Sequence, residues 1–429
     1  MKSKHVWWTA ASVVTAAAVA GLATLGVAVQ DINGNLTHDP APTVAHAKPV
    51  MVPLAAGGAP DAEALSARLD NLARDAALGT LGGQVIDTTT GDVVWEREAG
   101  TPAVPASATK ILTTAAAILS LDTGARVNTE VVRGPQDGTV VIKAAGDTWM
   151  THEQLDDLAE QITAAGGASA VYIDTGLWSG NTQAPAWDPD NVDGGYVAPM
   201  EPAMAYGGRL GGTEGDLPRS HAPALDVANL LAQRLGAQTA GLAPAPGGAE
   251  VVASTQSAPL AQRMQQMVKH SDNVAAEAIG REVAAAQGAE PSFAGATRAT
   301  LETLARAGFD TEATVLSDNS GLSTNNRITP ALLTSVVSRA VTDESLRPLL
   351  GYLPVAGGEG TLATRYSTQS GKGYVRAKTG SLTGVSALVG TAVGKSGHVY
   401  AFSFLVNDAG DLLSTRVAQD ALASALTEF

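Results

Sequence analysis

The sequence of 429 residues contains no cysteine. Disulfide bonds, thiol nucleophiles and cysteine-ligated zinc sites are therefore excluded from every part of the chain. Histidine is also scarce, and the seven histidines include no pair at the His-x-x-x-His spacing with which a helix presents two ligands to zinc. We expect neither a metal nor any other cofactor.

Basic residues are outnumbered, with 27 lysines and arginines against 42 aspartates and glutamates and a net charge of -15. A surface with this balance does not attract a phosphate backbone, so we expect no nucleic acid partner. No serine lies in the Gly-x-Ser-x-Gly turn that presents the nucleophile of α/β-hydrolases. The hydrophobic fraction of 45% nevertheless excludes general disorder, and the length suffices for more than one domain.

Two lysines precede an apolar run from Val6 to Val29 in which no charged residue occurs. The run is longer than the about 7 to 15 apolar residues of a signal peptide and matches the about 20 residues of a membrane-spanning helix. Residues 1–30 are therefore predicted to be a signal peptide or a membrane anchor, and the remainder is predicted to be exported. Residues 31–60 are rich in proline, alanine and glycine, which predicts a flexible linker.

The rest of the chain changes its pattern twice. Residues 61–124 and 249–429 contain long helical patterns and apolar strand patterns, whereas residues 125–248 contain short strand patterns, amphipathic helices and a long loop. We therefore predict a main domain formed by the two outer segments and an inserted α/β subdomain between them. The main-domain patterns are a helix at Leu65–Leu78, a hairpin at Gly82–Glu98, a helix after Pro105, two helices between Pro259 and Ala286 that break near Ser271, and a last helix at Leu412–Leu426.

A serine and a lysine three positions apart, Ser107 and Lys110, stand at the start of an alanine-rich helical pattern. Positions i and i+3 share one helix face, so the lysine amine can reach the serine oxygen. An apolar setting disfavours the charged amine and lowers its pKa toward the range of a general base. This pair alone is more typical of a helix cap beside a surface lysine, and its significance depends on two further motifs.

Those motifs are Ser271-Asp272-Asn273 at the predicted helix break and Lys378-Thr379-Gly380 in a strand pattern. The three motifs together are the known signature of class A β-lactamases and penicillin-binding proteins. We predict that Ser107 is the nucleophile of an acyl-enzyme and that Lys110 is the base that activates it. Ser271 is predicted to relay a proton to the leaving amine.

The other motif residues are predicted to bind the substrate. The amide of Asn273 orients the substrate backbone, and Lys378 adds positive charge that helps to hold the first lysine neutral and attracts a carboxylate. Thr379 offers that carboxylate a hydroxyl, and Gly380 allows a substrate strand to approach the sheet edge. The oxyanion is predicted to lie between the backbone N–H group of the nucleophile and that of Ser381.

Several longer stretches resemble the penicillin-binding protein 4 type of D-alanyl-D-alanine carboxypeptidase and endopeptidase, which is the class C low-molecular-mass group. The resemblance runs from about Leu78 to Phe429 and includes DNSGLS at Asp318–Ser323, which β-lactamases lack. It implies a β-lactamase/transpeptidase-like α+β fold, with helices flanking an antiparallel sheet and an α/β subdomain inserted after the nucleophile helix. It also implies hydrolysis of D-Ala-D-Ala bonds in peptidoglycan stem peptides, extension of that activity to cross-links, and inhibition by β-lactam antibiotics.

Two alternatives remain open at this point. The same scaffold serves β-lactamases and esterases, which release their acyl group quickly. The other alternative is a catalytically silent protein that binds the cell wall. The three intact motifs argue against it, because a protein without catalytic activity does not need them.

Some further residues have a functional and a structural interpretation. Polar residues beside Gly321 are candidates for lining the cleft or for forming turns, and two tryptophans are candidates for gripping a ligand or for packing. An arginine near the third motif is a candidate for carboxylate binding, and two aspartates of the insert are candidates for binding an amine. These residues are Asp318, Asn319 and Asn326, Trp178 and Trp187, Arg376, and Asp156 and Asp157.

Overall fold

The computed structural model describes residues 60–429. The predicted signal peptide or anchor at residues 1–30 and nearly all of the predicted linker at residues 31–60 lie outside the described residues. Between residues 60 and 429, no helix is both long and apolar enough to cross a membrane.

Helices and short strands alternate through the first half of the described chain, and long strands dominate its end. The helices are α1 (Ala62–Leu72), α2 (Thr109–Ser120), α3 (His152–Ala164), α4 (Pro223–Leu235), α5 (Leu260–His270), α6 (Asn273–Ala286), α7 (Phe293–Arg306), α8 (Pro330–Thr342), α9 (Pro348–Tyr352) and α10 (Leu412–Ala425). The strands are β1 (Thr80–Asp87), β2 (Val93–Arg97), β3 (Asn128–Arg133), β4 (Thr139–Lys143), β5 (Asp147–Met150), β6 (Ala170–Asp174), β7 (Ala203–Ala205), β8 (Thr239–Leu242), β9 (Val251–Gln256), β10 (Val375–Leu382), β11 (Val385–Val393) and β12 (Val399–Asn407).

The main sheet has the strand order β10-β11-β12-β1-β2, and every neighbouring pair in it is antiparallel. Successive side chains of a strand point to opposite faces of the sheet. A strand that is almost wholly apolar, such as β11, is therefore expected to be buried on both faces. Ala387 and Val389 belong to a buried core that also contains residues of α2, α5, α6, α7 and α8, whereas Leu388 and Ala392 belong to a core that contains residues of α1 and α10. The sheet is thus covered by helices on both faces, which confirms the predicted fold class.

A second sheet forms the insert, with the strand order β8-β6-β4-β3-β9. Its three strands at one side are parallel and its other two pairings are antiparallel, which is a mixed α/β arrangement. Helices α3 and α4 bury their apolar faces against this sheet. A two-stranded parallel ladder between β5 and β7 lies beside it.

Two predicted boundaries differ from the structure. The predicted return to the main domain after Gly248 comes too early, because β9 pairs with β3 in the insert's sheet and the glycines before it only form a turn. The predicted helix Leu65–Leu78 ends at Leu72, because Asp75 accepts a hydrogen bond from the N–H group of Ala77 and thereby starts a separate 3-10 turn.

Candidate active site

The predicted nucleophile lies on a tight turn before α2. Residues Ala106–Ala108 form a single 3-10 turn, and Ala106 has a positive φ of 47°, a conformation that costs energy for a residue with a Cβ atom. Ser107 is half-buried at this turn, at the mouth of a helix whose first two turns are wholly buried. Ala106 and Ala108, on either side of the serine, are completely buried, and larger side chains would not fit at these two positions.

Two glycines allow other segments to pack against this turn. A Cβ atom on Gly321 would lie 1.9 Å from the carbonyl oxygen of Ala106, and Gly321 itself has a φ of 84°. A Cβ atom on Gly380 would lie 2.8 Å from the carbonyl oxygen of Pro105. A side chain at Gly380 would therefore collide with the turn that contains Ser107, and the approach of a substrate strand at this glycine stays a prediction.

The amine of Lys110 is completely buried and lies among three oxygen atoms from three segments. Its Nζ atom is 3.0 Å from Ser107 Oγ, 2.6 Å from Asn273 Oδ1 and 2.6 Å from the backbone oxygen of Ser320. A neutral amine donates two hydrogen bonds and accepts one. Lys110 therefore satisfies all its hydrogen-bonding capacity when it donates to Asn273 and Ser320 and accepts the proton of the Ser107 hydroxyl.

Electrostatics bring this amine into the range of a base. Burial lowers the pKa of Lys110 to about 8, against the opposing influence of the carboxylates of Asp318, Asp272 and Glu277, which raise it. A general base works best when its pKa is near the working pH. The pKa of Lys110 lies in this range, and its role as the base stays a prediction.

The second and third motifs meet at Ser271 and Lys378. Ser271 ends α5 with a φ of 60°, in the left-handed region, and this break directs its hydroxyl toward β10. Lys378 is completely buried, and its Nζ atom is 2.9 Å from Ser271 Oγ and 2.7 Å from the backbone oxygen of Thr379. Burial, together with repulsion by Lys110, holds the pKa of Lys378 well below its usual range.

The insert holds the two other residues of the second motif. Asn273 Nδ2 donates to the backbone oxygen of Tyr196, which fixes the amide so that its oxygen faces the first lysine. Asp272 caps α6 through the N–H group of Ala275 and pairs with Arg209, whose Nη2 atom lies 2.9 Å away in a buried contact. Arg209 therefore connects the insert to the second motif, and no sequence motif identified it.

The strand β10 is an edge strand, which leaves part of its backbone free to bind a substrate. Thr379 is half-buried and its hydroxyl contacts that of Thr361 at 2.8 Å. The exposed hydroxyl of Ser381 accepts a hydrogen bond from Arg416 Nη2 at 3.0 Å. The structure thus brings together the eight residues that were predicted for the site, which are Ser107, Lys110, Ser271, Asn273, Lys378, Thr379, Gly380 and Ser381.

The segment Asp318–Ser323 lies behind the base and not on the cleft surface. Asp318 accepts hydrogen bonds from the N–H groups of Gly321 and Ser323, from Asn326 Nδ2 and from Trp187 Nε1. Both Asp318 and Asn326 are completely buried. The turn-forming interpretation of these residues is therefore the one that the structure supports.

A buried glutamate supports the same segment. Glu277 Oε1 accepts hydrogen bonds from the N–H groups of Asn319 and Ser320, at 2.9 and 2.8 Å, and Ser320 presents its carbonyl oxygen to Lys110. Burial and the neighbouring Asp318 raise the pKa of Glu277 to about 8. The sequence analysis missed Glu277, although its position one turn after Asn273 on the same helix face was a usable signal.

The other candidates have structural contacts. Trp187 packs edge-on against Phe293, and the guanidinium of Arg281 lies over the Trp178 ring. Within the insert, Asp156 pairs with Arg234 and Asp157 accepts a hydrogen bond from Gln161. Arg376 is exposed, and its backbone bridges to Val355. Among the described residues, no cluster of three or more acidic or histidine side chains is arranged to hold a metal ion.

Comparison with known proteins decides the family. The profile of the D-Ala-D-Ala carboxypeptidase 3 (S13) family matches residues 65–214 and 211–428. The chain belongs to this family. A carboxypeptidase DacB of Mycolicibacterium smegmatis is 43% identical over 411 residues, which cover 90% of this chain and 89% of the relative. A carboxypeptidase of Mycobacterium tuberculosis is 44% identical over the same length, with the same coverage of each chain.

The solved structures agree on the fold. The crystal structure of penicillin-binding protein 4 from Haemophilus influenzae superposes with a TM-score of 0.72 at 22% identity, covering 83% of this chain and 98% of that one. The resemblance to the penicillin-binding protein 4 type is therefore confirmed, and so is the expected enzyme class. The S13 protein described here is a serine-type D-Ala-D-Ala carboxypeptidase.

Proposed function

We propose that the enzyme removes the terminal D-alanine from peptidoglycan stem peptides through an acyl-enzyme on Ser107. The observation that carries the proposal is the contact of Ser107 Oγ with the amine of Lys110, whose two other partners are oxygen atoms that only accept hydrogen bonds. An amine so surrounded has its lone pair directed at the serine hydroxyl when it is neutral.

The proposed reaction uses the motif residues in two half-reactions. Lys110 takes the proton of Ser107 while Oγ attacks the carbonyl carbon of the penultimate D-alanine, and the C–N bond to the terminal residue then breaks. The proton that Lys110 took passes through Ser271 to the leaving nitrogen, so that Lys110 is neutral again and free D-alanine departs. Water, deprotonated by the same base, hydrolyses the ester and restores the serine. Two backbone N–H groups around the oxyanion, proposed to be those of Ser107 and Ser381, would each contribute about 3 to 4 kcal/mol.

The place of action follows from the substrate. Peptidoglycan lies outside the cytoplasmic membrane, and the charged and apolar pattern of residues 1–30 predicts export. We therefore propose that the enzyme works in the extracytoplasmic space, either secreted or held by its N-terminal segment.

Mass spectrometry of the intact protein after treatment with a penicillin tests the proposal. A β-lactam places its strained amide where the D-Ala-D-Ala bond would lie, so we expect one covalent adduct on the peptide that contains Ser107. Ser107→Ala should abolish the adduct. Ser120→Ala is the matched control, because that serine lies on the same helix and only bonds to the carbonyl oxygen of Ala116. An adduct that persists in Ser107→Ala would exclude the proposed nucleophile.

The lifetime of the same adduct separates the proposed activity from that of a β-lactamase. A penicilloyl group that remains bound over hours identifies a peptidase inhibited by the drug, and release within seconds identifies a β-lactamase. Absence of any adduct with retained binding to cell walls would favour a catalytically silent protein.

Endopeptidase activity on cross-links is a second candidate, favoured by a cavity that adjoins Thr379. The cavity has a volume of about 360 Å³ and is lined by Thr361, the hydroxyl partner of Thr379, and by Trp149 and His270. D-alanine alone does not fill such a space. Incubation with a purified cross-linked muropeptide dimer should release monomers, and a dimer left intact while a pentapeptide loses D-alanine would restrict the enzyme to carboxypeptidase activity.

A further inference from the structure

A second cavity, with a volume of about 200 Å³, lies where the insert meets the main domain. The insert contributes β5 and the first turn of α3 to its walls, and the main domain contributes α5 and α6. Trp149 and Gln266 line both this cavity and the one that adjoins Thr379. Binding sites for small molecules occur preferentially at such junctions between domains.

The size and the apolar walls of the cavity suit a ligand of about one ring. A cavity of about 150 Å³ with apolar walls is large enough to bind benzene. Here one wall is the indole of Trp149, and the opposite helix, α6, presents only apolar side chains. These are Ala275, Ala278 and Ile279.

A buried carboxylate lines the same cavity without a cationic partner among residues 60–429. Asp147 is 2% exposed, and its oxygen atoms accept hydrogen bonds only from uncharged groups, which are the N–H group of Trp149 at 3.0 Å and Gln154 Nε2 at 3.1 Å. Arg263 and Glu282, the charged groups that act on Asp147, bind each other and have opposite effects on it. Burial raises the pKa of Asp147, as expected for a negative charge that is not neutralised.

We propose that this cavity is a binding site for a small organic cation, namely a primary amine on an apolar body of about one ring. The ammonium group pairs with the carboxylate of Asp147, and the apolar body lies against Trp149 and the alanines of α6. Pairing compensates the cost of burying the carboxylate alone, and a charge-assisted hydrogen bond is stronger than one between neutral groups. An anion of the same size is repelled by Asp147.

The proposed site lies behind the second motif and not in the active site. Ala275, Ala278 and Ile279 occupy one face of α6, whereas Asn273 and Glu277, at positions i and i+4, occupy the opposite face and contact the segments around Lys110. A ligand in the cavity therefore leaves Ser107 free. Binding of the amine does not depend on catalysis, so its test is separate from that of the proposed function.

The test is a titration of the protein with benzylamine and with benzyl alcohol, which has nearly the same shape and no charge, followed by ligand-observed NMR. We expect benzylamine to bind with a Kd of about 1 mM or lower, which is ordinary for about eight non-hydrogen atoms. Benzyl alcohol should bind about tenfold more weakly, because it lacks the charge that pairs with Asp147.

Two variants assign the site. Asp147→Asn should weaken binding of the amine by about tenfold and leave binding of the alcohol unchanged, and Asp157→Asn on the exposed face of α3 is the matched control. Ala278→Met should abolish binding of both compounds by filling the cavity, and Ala285→Met at an exposed position of the same helix is its control. Both controls should bind both compounds as the wild type does.

The outcomes that would overturn the proposed site are equally definite. They are a wild type that does not bind benzylamine, an Ala278→Met variant that binds it normally, and an Asp147→Asn variant that binds the amine normally or loses both compounds alike. None of them would affect the proposed acyl-enzyme on Ser107, which the penicillin adduct tests.

Discussion

Lys110 and Lys378 are both completely buried, yet their surroundings differ in one respect. The carboxylates of Asp318, Asp272 and Glu277 act on Lys110 and raise its pKa against the effect of burial. Among residues 60–429, the amine of Lys378 has only Ser271 and a backbone oxygen as hydrogen-bonding partners, and the charged group that acts on it is the other lysine. One amine is therefore balanced between its two protonation states, whereas the other has no nearby negative charge.

This difference shows how one residue type performs two tasks in one cleft. A lysine with a pKa of about 8 exchanges a proton easily near neutral pH, which is what activation of a serine requires. A buried lysine without an acidic partner gains most when a ligand brings the negative charge. We therefore interpret Lys110 as the group that moves protons and Lys378 as a group that responds to the substrate carboxylate.

Replacing each lysine by methionine should give the largest effects and tests whether the two lysines have different roles. Methionine suits both sites because it is unbranched, apolar and similar in length. Lys110→Met should slow acylation by a penicillin by about 10² to 10⁴-fold, because the general base is lost. Lys378→Met should raise KM for a D-Ala-D-Ala peptide by about 30-fold or more, which corresponds to about 2 kcal/mol of lost charge pairing.

Steady-state kinetics on the peptide and stopped-flow acylation measure the two effects separately. Lys395→Met, at an exposed turn between β11 and β12, is the control and should behave as the wild type. If Lys378→Met lost as much acylation rate as Lys110→Met and bound the peptide normally, the two lysines would not have the distinct tasks that their surroundings indicate.

The motif residues could be recognised from the sequence because their chemistry is encoded locally. Serine and lysine at i and i+3, or a serine-asparagine pair at a helix break, keep their spacing wherever the chain folds. The main sheet was also predictable, since strands such as β11 are apolar on both faces. The structure then brings Ser107, Ser271 and Lys378 together from three distant parts of the chain.

Residues that act through long-range contacts were not predictable. Glu277 and Arg209 resemble ordinary surface charges of helices and loops in the sequence, because nothing local shows that a partner segment will bury them. Arg376 shows the converse, because it is near a motif in sequence and exposed in the structure. Burial of a charge depends on packing between distant segments, and sequence spacing does not record it.

The pH dependence of the acylation rate should show a smaller effect of the surroundings of Lys110. If Lys110 is the base, only its neutral form reacts, so the second-order rate of acylation should rise with pH, about tenfold per unit, and level off above the pKa of about 8. A rate that is flat between pH 6 and 9 would contradict this assignment. Burial of the amine and the three carboxylates near Lys110 set the midpoint.

Glu277→Gln should move that midpoint to lower pH. Glutamine keeps an oxygen that accepts the hydrogen bonds of Asn319 and Ser320, so the loop that presents the Ser320 carbonyl oxygen stays in place. It also removes a negative charge that raises the pKa of Lys110. Because Glu277 itself has a pKa of about 8 and is only partly ionised at the midpoint, the shift should be about half a unit to one unit.

The control for this shift is Glu282→Gln on the same helix, where the carboxylate pairs with Arg263 and does not act on the base. Its pH profile should coincide with that of the wild type, with KM unchanged in both variants. A Glu277→Gln profile with an unmoved midpoint and a uniformly lower rate would show that the glutamate only holds the loop. A midpoint moved to higher pH would mean that the carboxylate does not stabilise the protonated amine, and the electrostatic difference between the two lysines would then need another cause.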